Sequence, residues 1–178
     1  MYSLKRTIAL VGMMGAGKSS VGRRLAAKLG VPFRDADAEI EAAAGCTISE
    51  IFDRFGEASF RDGECRVISR LLSEPPHVLA TGGGAFIDER TRGAIKSHAV
   101  SVWLRASVDL LVSRVNRRDT RPLLRSGDPR EIVERLLRER EPIYSEADLV
   151  LDSEEGPHST LVERIVAALE AHGQLANA

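Results

Sequence analysis

The chain has 178 residues, a formal net charge of -1 and 43% hydrophobic residues. This length is typical of one domain that buries a sizeable core, so we expect a single domain over residues 1–178. The balanced charge argues against nucleic acid as a partner, because no strong excess of basic residues is present. No apolar run is long enough to span a bilayer, so no membrane association is expected.

The two cysteines, Cys46 and Cys65, lie far from any Cys-x-x-Cys spacing. They are predicted to be reduced thiols of a cytoplasmic protein, with no zinc site. Lys5 and Arg6 precede an apolar run, but glycines and Lys18 interrupt it too early for a secretory signal. A monomer is expected, because no exposed apolar stripe is evident.

Strands and helices are predicted to alternate along the chain. The predicted strands are residues 8–11, 77–80, 100–104 and 149–151, together with a strand that opens at residues 31–33 and ends in Asp35-Ala36-Asp37. The predicted helices are residues 19–29, 38–44, 48–55, 57–72, 88–95, 107–115, a helix from 129 onward, and 159–171. Ser107 and Asp128 are expected N-caps, either Thr47 or Ser49 caps the third helix, and the tail after Gly173 is expected to fray. This alternation predicts an α/β three-layer sandwich, a five-stranded parallel sheet with helices on both faces.

The segment from Gly12 to Ser19 has the pattern G-x-x-x-x-G-K-[ST] of a phosphate-binding loop. Backbone N–H groups approach a polyphosphate only where side chains are absent, which explains Gly12, Gly15 and Gly17. Lys18 is predicted to reach the β- and γ-phosphates, and Ser19 to bind Mg²⁺ at the positive end of a helix. A glycine-rich turn with an incidental lysine is the alternative, which the strand before and the amphipathic helix after disfavour.

Two further segments follow predicted strands, and the carboxyl ends of parallel strands meet in one cleft. They are Asp35-Ala36-Asp37 and the turn of residues 81–84, which contains three glycines. If strand geometry persists, Asp35 and Asp37 lie about 6 to 7 Å apart on one side, so one suits Mg²⁺ and the other a substrate hydroxyl. The alternative is a turn with Asp37 as N-cap. The glycines favour close approach of a ligand or of backbone over a loose turn.

Two arginines fall on apolar helix faces. Arg61 is in phase with the apolar positions that follow it, and Arg140 with Leu136 four residues earlier. A charge on a core face is costly unless paired, so Arg61 pairs with Glu57 or Glu64, extends its charged end to solvent along its apolar stem, or binds an anion. Guanidinium groups bind carboxylates bidentately, so the two arginines suggest an acidic small-molecule substrate.

Residues 116–127 lack an apolar period and concentrate charge, which predicts a mobile lid. Such a lid would bring Arg117, Arg118 or Arg121 to a transferring phosphoryl group. A solvated basic loop is the alternative. Arg121 is the preferred member because Pro122 stiffens the chain behind it.

In this order the motifs resemble those of the shikimate kinases, which have a P-loop NTPase fold of the nucleoside-monophosphate-kinase type. The resemblance spans residues 8–165. Its elements are Gly12 to Ser19, Asp35-Ala36-Asp37, Ile51-Phe52, Gly56-Glu57, Phe60-Arg61, Thr81 to Gly84, Arg121-Pro122-Leu123-Leu124, and Arg140 with Tyr144. It implies Mg²⁺- and ATP-dependent phosphorylation of the 3-hydroxyl of shikimate, in aromatic amino acid (chorismate) biosynthesis.

The resemblance also implies roles for the matching residues. Lys18, Asp37 and Arg121 would be catalytic, and Ser19 with Asp35 would lie at Mg²⁺. The nucleotide would contact Gly12, Gly15, Ala16, Gly17, Lys18, Ser19, Ser20, Arg114 and Arg121. Shikimate would contact Asp37, Phe52, Phe60, Arg61, Gly82, Gly83, Gly84 and Arg140, with residues 36–64 as the substrate-binding helical segment. Residues 152–157 lack the basic residue that related enzymes can place on adenine, which leaves the base contacts open.

Two other functions fit parts of the pattern. One is a kinase for another small hydroxy acid, such as gluconate, on the same fold. The other is a nucleotide-binding module that has lost catalysis. Such a module would be expected to lose Lys18, Asp37, Arg61, Arg121 or Arg140, and the chain has all of them.

Overall fold

The computed structural model of the protein describes residues 2–117 and 127–177. Within these ranges the strands are β1 Tyr2–Leu4, β2 Thr7–Val11, β3 Phe33–Asp35, β4 Val78–Ala80, β5 Ala99–Arg105, β6 Leu149–Asp152 and β7 Leu175–Asn177. The helices are α1 Lys18–Leu29, α2 Ala36–Ala44, α3 Ile48–Leu72, α4 Glu89–His98, α5 Val108–Val115, α6 Pro129–Tyr144 and α7 His158–Ala171, with a 3₁₀ turn at Ala85–Ile87.

Five of the strands form one parallel sheet in the order β3-β4-β2-β5-β6. Every residue of β2 and all but the last residue of β5 are buried. Successive side chains of a strand point to opposite faces, so both faces of the sheet are covered, as predicted. The chain extends the sheet to one side of β2 through β3 and β4, and then to the other side through β5 and β6. The loop after β2 therefore lies where the strand order reverses, the usual ligand position in such sheets.

The predicted helix boundaries are largely confirmed. Thr47, rather than Ser49, caps α3 in a complete capping box. The side chains of Ser107 and Asp128 cap α5 and α6 as expected. Gly56 has φ 82° and ψ 173°, which breaks α3 into two helical halves at the predicted interruption. No helix in the described part of the chain is long and apolar enough to cross a bilayer.

The prediction that the tail after Gly173 frays is wrong. Strand β7 pairs antiparallel with β1, with Leu4 opposite Leu175. Both leucines are buried against the core, and Lys5 Nζ donates a hydrogen bond to the Gly173 carbonyl oxygen at 2.8 Å. The apolar contact and the backbone pairing together order the tail.

The second strand of the large sheet begins two residues later than predicted. It covers Phe33–Asp35, so it ends at the predicted Asp35-Ala36-Asp37 segment but begins late, because the Val31 N–H closes the end of α1 by donating to Ala26 O at 3.1 Å. Helix α2 then begins at once, so Asp37 lies in its first turn and not on a strand. The expected strand geometry of Asp35 and Asp37 is therefore wrong.

Candidate active site

A cavity of about 850 Å³ opens at the carboxyl ends of the strands, beside the loop after β2. Among the predicted residues, it is lined by Gly15, Gly17, Lys18, Ser19, Ser20, Asp37, Phe52, Phe60, Arg61, Gly82, Gly83, Gly84, Arg114 and Arg140. Gly12, Ala16 and Asp35 lie outside this lining but contact residues within it or beside it. Arg118 and Arg121, and most of the predicted lid, lie outside the described residues. The topology thus brings two chemically distinct sets of residues, the phosphate loop and the inward arginines, to one cavity.

The phosphate loop is shaped by its glycines. Gly12 has φ +138°, and a Cβ atom there would lie 2.9 Å from the Leu104 carbonyl oxygen, so no other residue fits. Lys18 begins α1 and is buried; its Nζ donates to Gly12 O at 2.6 Å and to Met13 O at 2.8 Å. The ammonium is thus held over the loop, where the phosphates of a nucleotide would lie.

Ser19 and Asp35 come together beneath the loop. Ser19 Oγ donates to Asp35 Oδ2 at 2.7 Å, while Asp35 Oδ1 accepts from the N–H groups of Asp37 at 3.1 Å and Ala38 at 3.3 Å. The N-cap of α2 is therefore Asp35, and the alternative that placed Asp37 there is wrong. A hydroxyl and a carboxylate are the hard oxygen ligands that Mg²⁺ prefers.

No group of three or more His, Cys, Asp or Glu that could hold a metal occurs in residues 2–117 and 127–177. Mg²⁺ at nucleotide sites uses one or two protein oxygens and completes its shell with phosphates and water. The Ser19 and Asp35 pair fits that kind of site, and the free thiols Cys46 and Cys65 do not contribute to it.

Asp37 faces the cavity across the glycine turn. Its Oδ1 lies 2.8 Å from the position that a Cβ atom on Gly82 would occupy, and Glu64 Oε2 lies 3.2 Å from the same point. The absence of a side chain at Gly82 allows two carboxylates to approach one face of the turn. At Gly82 the close approach is therefore made by side chains, whereas at Gly83 it is made by backbone, with Met14 N 3.2 Å from the position of a Cβ atom.

Arg61 forms the ion pair that was one of its two predicted roles, and its anion-binding role stays a prediction. Its Nη1 donates to Glu64 Oε1 at 2.6 Å, and its Nη2 lies 3.6 Å from Glu57 Oε1. The side chain also lines the cavity and is 15% exposed, so a bound anion can reach it. Arg61 Cζ lies 5.0 Å from the ring centroid of Phe60, which in turn packs against Phe52 with 4.8 Å between centroids.

Glu64 is a site residue that the sequence reasoning did not assign. It is 1% exposed, and within the described residues its Oε2 has no hydrogen-bond partner. Burial raises the pKa of its carboxyl group; Arg61 opposes this rise, and the nearby Asp37 adds to it. Its spacing of three residues from Arg61 suggested an ion pair, but no local signal indicated that Glu64 is buried at the cavity.

Arg140 continues the buried stripe of α6, as predicted, and is 9% exposed. Its Nη1 donates to the Gly83 carbonyl oxygen at 3.3 Å. The hydroxyl of Tyr144, one helical turn later, donates to the same oxygen. Burial raises the pKa of the Tyr144 hydroxyl, so it remains a donor. Helix α6 therefore fixes the glycine turn and presents a guanidinium group to the cavity.

Arg114 lies on the opposite side of the phosphate loop. Its Nη1 donates to Gly15 O at 3.2 Å, Ala16 O at 3.1 Å and Ser153 Oγ at 3.3 Å. Its Nη2 donates to Glu154 O at 3.4 Å. Burial lowers the pKa of Arg114, yet the group stays charged because its ordinary pKa is so high. The guanidinium is thus bound to the loop, and the side chain also lines the cavity.

The fold and this cavity define a class of protein, the phosphate-loop kinases of the nucleoside-monophosphate-kinase type, with two inward arginines beside the phosphate loop. A family model described as shikimate kinase matches residues 14–170. The chain belongs to the shikimate kinase family.

Relatives and solved structures agree with this assignment. The shikimate kinase of Bradyrhizobium diazoefficiens is 60% identical over 167 residues, which cover 94% of this chain and 81% of the relative. A solved structure of a shikimate kinase from Acinetobacter baumannii in complex with shikimate has a TM-score of 0.91 and 39% identity, covering 94% of each chain. A gluconokinase from Sinorhizobium meliloti has a TM-score of 0.61 and 20% identity, covering 94% of this chain and 93% of its own, a likeness in fold alone.

Proposed function

We propose that the protein transfers the γ-phosphoryl group of ATP to the 3-hydroxyl of shikimate, a step in aromatic amino acid biosynthesis. One observation supports this function most directly: Arg61 and Arg140 face the same cavity as Lys18 of the phosphate loop. An acid held on the two guanidinium groups presents its hydroxyls toward the phosphates. Membership of the shikimate kinase family supports the identity of that acid.

The phosphate side of the site binds and polarises the nucleotide. Backbone N–H groups of the loop from Gly12 to Gly17 bind the phosphates, and Lys18 stabilises the charge that develops on the transferring group. Ser19 and Asp35 would hold Mg²⁺, which supplies further neutralisation of the phosphate oxygens. Ser20, Ala16 and Arg114 complete the nucleotide contacts that we propose.

The acid side of the site positions the acceptor. Arg61 and Arg140 bind the carboxylate, and Asp37 orients the 3-hydroxyl and accepts its proton as the new P–O bond forms. The rings of Phe52 and Phe60 form an apolar wall, and the backbone of Gly82, Gly83 and Gly84 closes the remaining side. We place this substrate-binding segment at residues 36–64.

We further propose that the protein is a single-domain cytoplasmic monomer. In the described ranges the exposed large apolar side chains are Phe55 and Val150, which lie on different elements and form no broad patch. The free cysteines suit a reducing compartment.

A coupled assay of ADP release tests the function. The purified protein is incubated with ATP and MgCl₂ and with shikimate, gluconate or quinate in turn, and the phosphorylated position is read from ³¹P-coupled NMR spectra. We expect turnover with shikimate, phosphate on the 3-hydroxyl, and loss of activity in EDTA that Mg²⁺ restores. Faster turnover with gluconate, or ADP release that is independent of the acid, would contradict the proposal.

A further inference from the structure

The glycine turn of residues 82–84 continues directly into the 3₁₀ turn Ala85–Ile87, and the two form one segment. Gly82 O accepts a hydrogen bond from the Ala85 N–H, and Gly84 O accepts one from the Ile87 N–H, both at 3.2 Å. The 3₁₀ turn packs against α3, α4 and α6. The position of the glycine turn therefore depends on groups outside the cavity.

Both inward arginines contact the glycine turn. Arg140 Nη1 donates to Gly83 O at 3.3 Å. Gly84 lies so close to Arg61 that a Cβ atom there would overlap the guanidinium group. A displacement of the turn would therefore change the spacing between the two guanidinium groups.

Arg92, in the first half of α4, holds the far end of this segment. Its Nη1 donates to Phe86 O and to Ile87 O, each at 3.0 Å. These are the last carbonyl groups of the 3₁₀ turn, which have no partner within the turn itself. The side chain is 17% exposed, and among the described residues it does not belong to the lining of the cavity. Arg92 thus acts on the segment from behind the site.

Arg92 also connects the segment to α6. Its Nε lies 3.6 Å from Glu146 Oε2, and Lys96 Nζ donates to Glu146 Oε1 at 2.6 Å. The hydrogen bond from Lys96 lowers the pKa of the Glu146 carboxyl group, which keeps it ionised at neutral pH. Glu146 follows two residues after Tyr144, the last residue of α6, whose hydroxyl donates to Gly83 O. One guanidinium group therefore joins the end of the segment to the helix that binds its middle.

We propose that Arg92 is a positioning residue for acid binding, which holds the glycine turn where Arg61 and Arg140 can bind one carboxylate together. The inference rests on the proposed function, since it takes an acid as the acceptor substrate. A guanidinium group suits this task because its donors have fixed directions and bind two carbonyl groups and a carboxylate at once.

Kinetics and calorimetry of two Arg92 variants test this role in the full chain. Arg92→Met removes the donors and retains most of the side-chain volume. We expect KM and Kd for shikimate to rise about tenfold, because a small misplacement of positioning groups is costly, while KM for ATP stays unchanged. Arg92→Lys retains the charge but cannot bridge all three partners, so it should raise KM for shikimate about threefold.

The matched control is Arg6→Met. Arg6 Nη2 donates to Lys96 O at 3.2 Å and to Ser97 O at 2.9 Å, so Arg6 binds two carbonyl groups at the opposite end of α4. Urea unfolding should show that Arg6→Met and Arg92→Met both lose stability, whereas KM for shikimate should rise only in Arg92→Met.

A loss of stability in Arg92→Met with an unchanged KM for shikimate would overturn the inference, because it would show a purely structural role. Equal losses of shikimate and ATP affinity would overturn it as well. If Arg92→Met does not fold, Arg92→Lys decides, and a wild-type KM for shikimate in that variant contradicts the role. Failure of the shikimate kinase function would instead appear as inactive wild-type protein in the coupled assay.

Discussion

The site has two halves that are built from different kinds of groups: a phosphate half, around the loop from Gly12 to Ser19, and an acid half, around Arg61 and Arg140. The phosphate half is made mainly of backbone, and the polar groups of its loop bind one another, as the contacts of Lys18 with Gly12 O and Met13 O show. The acid half is made mainly of side chains from three helices, and it includes a buried carboxylate, Glu64. A backbone site is determined by a few consecutive residues, whereas a side-chain site depends on how distant helices pack.

This difference has a consequence for energetics. A buried ion pair gains little net stability, but removing one partner leaves an uncompensated charge and is strongly destabilising. Substitutions in the phosphate half should therefore affect chemistry with little effect on folding. Substitutions in the acid half should affect acid binding and stability together.

The largest effect is expected from Lys18→Met in the phosphate half. Removing a charge that acts on the transition state should lower kcat by about 10² to 10³ or more, while the fold is retained. Coupled-assay turnover and circular dichroism measure the two quantities. Lys28→Met, an exposed lysine at the end of the same helix, is the matched control and should keep full activity. Normal turnover in Lys18→Met would contradict the assigned role.

Removal of either inward arginine should weaken the binding of shikimate without weakening the binding of ATP. Arg61→Ala and Arg140→Ala are each expected to weaken shikimate by about 2–5 kcal/mol, the usual result of truncating a buried charged partner. The affinity for ATP should change little. The control Arg138→Ala, on the exposed face of α6, should change neither the shikimate affinity nor the ATP affinity.

The two substitutions should also differ in their effect on the free energy of unfolding. Arg61→Ala leaves the buried Glu64 unpaired, so it should lower the free energy of unfolding more than Arg140→Ala does. Urea unfolding and calorimetric titration measure both effects. A loss of ATP affinity as large as the loss of shikimate affinity would show that the two halves are not separate.

A smaller effect is expected when Arg61 is displaced instead of removed. A Cβ atom on Gly84 would lie 2.3 Å from Arg61 Nη2, the mobile end of that side chain. Gly84→Ala should therefore weaken shikimate about tenfold, or about 1.4 kcal/mol, with ATP unaffected. The control Gly93→Ala, in α4 with nothing within 4 Å, should stabilise the protein by about 1 kcal/mol and leave binding unchanged. Wild-type shikimate affinity in Gly84→Ala would place the carboxylate elsewhere.

The smallest effect concerns the pH dependence of stability. Because the pKa of Glu64 is raised in the folded state, the native protein holds this proton more tightly than the unfolded chain does. Its contribution to stability is complete below the ordinary value of 4.5 and is lost as the pH rises through the folded pKa. The free energy of unfolding of wild type should therefore fall, relative to that of Glu64→Gln, as the pH rises above 4.5.

Urea unfolding at a series of pH values measures this difference. Glu57→Gln, which alters the exposed partner of the same arginine, should not reproduce it. A difference between wild type and Glu64→Gln that is independent of pH would show that Glu64 titrates alike in both states.

The phosphate half could be predicted from sequence because its signal is local. The glycines, Lys18 and Ser19 lie within eight consecutive residues. The strand before them is a continuous apolar run, and the helix after them is amphipathic. The acid half was predictable only in part. The helix phase placed Arg61 and Arg140 inward, but it did not show that Glu64 is buried with an unpartnered oxygen. That burial depends on the approach of Asp37 and Gly82 from other elements.

The two terminal strands and some contacts with backbone were also beyond sequence reasoning. Strands β1 and β7 are too short to show a period, and each depends on a partner at the other end of the chain. The capping role of Asp35 depended on β3 ending at the first residue of the Asp35-Ala36-Asp37 segment, with α2 beginning at once. The contacts of Arg114 with Gly15 O and Ala16 O are invisible in a residue pattern, because every residue has a carbonyl group. Arg121 stays a prediction, as it lies outside the described residues.

The carbonyl oxygen of Gly83 links recognition to folding. It accepts hydrogen bonds from Arg140 and from the buried Tyr144, so a proposed substrate-binding group is also part of the framework of the turn. Engineering this enzyme toward an uncharged polyol by neutralising Arg140 would therefore loosen the turn that shapes the acceptor pocket. A redesign should instead exchange Arg61 and Glu64 together for apolar residues of similar volume, because joint replacement of a buried ion pair is often neutral for stability.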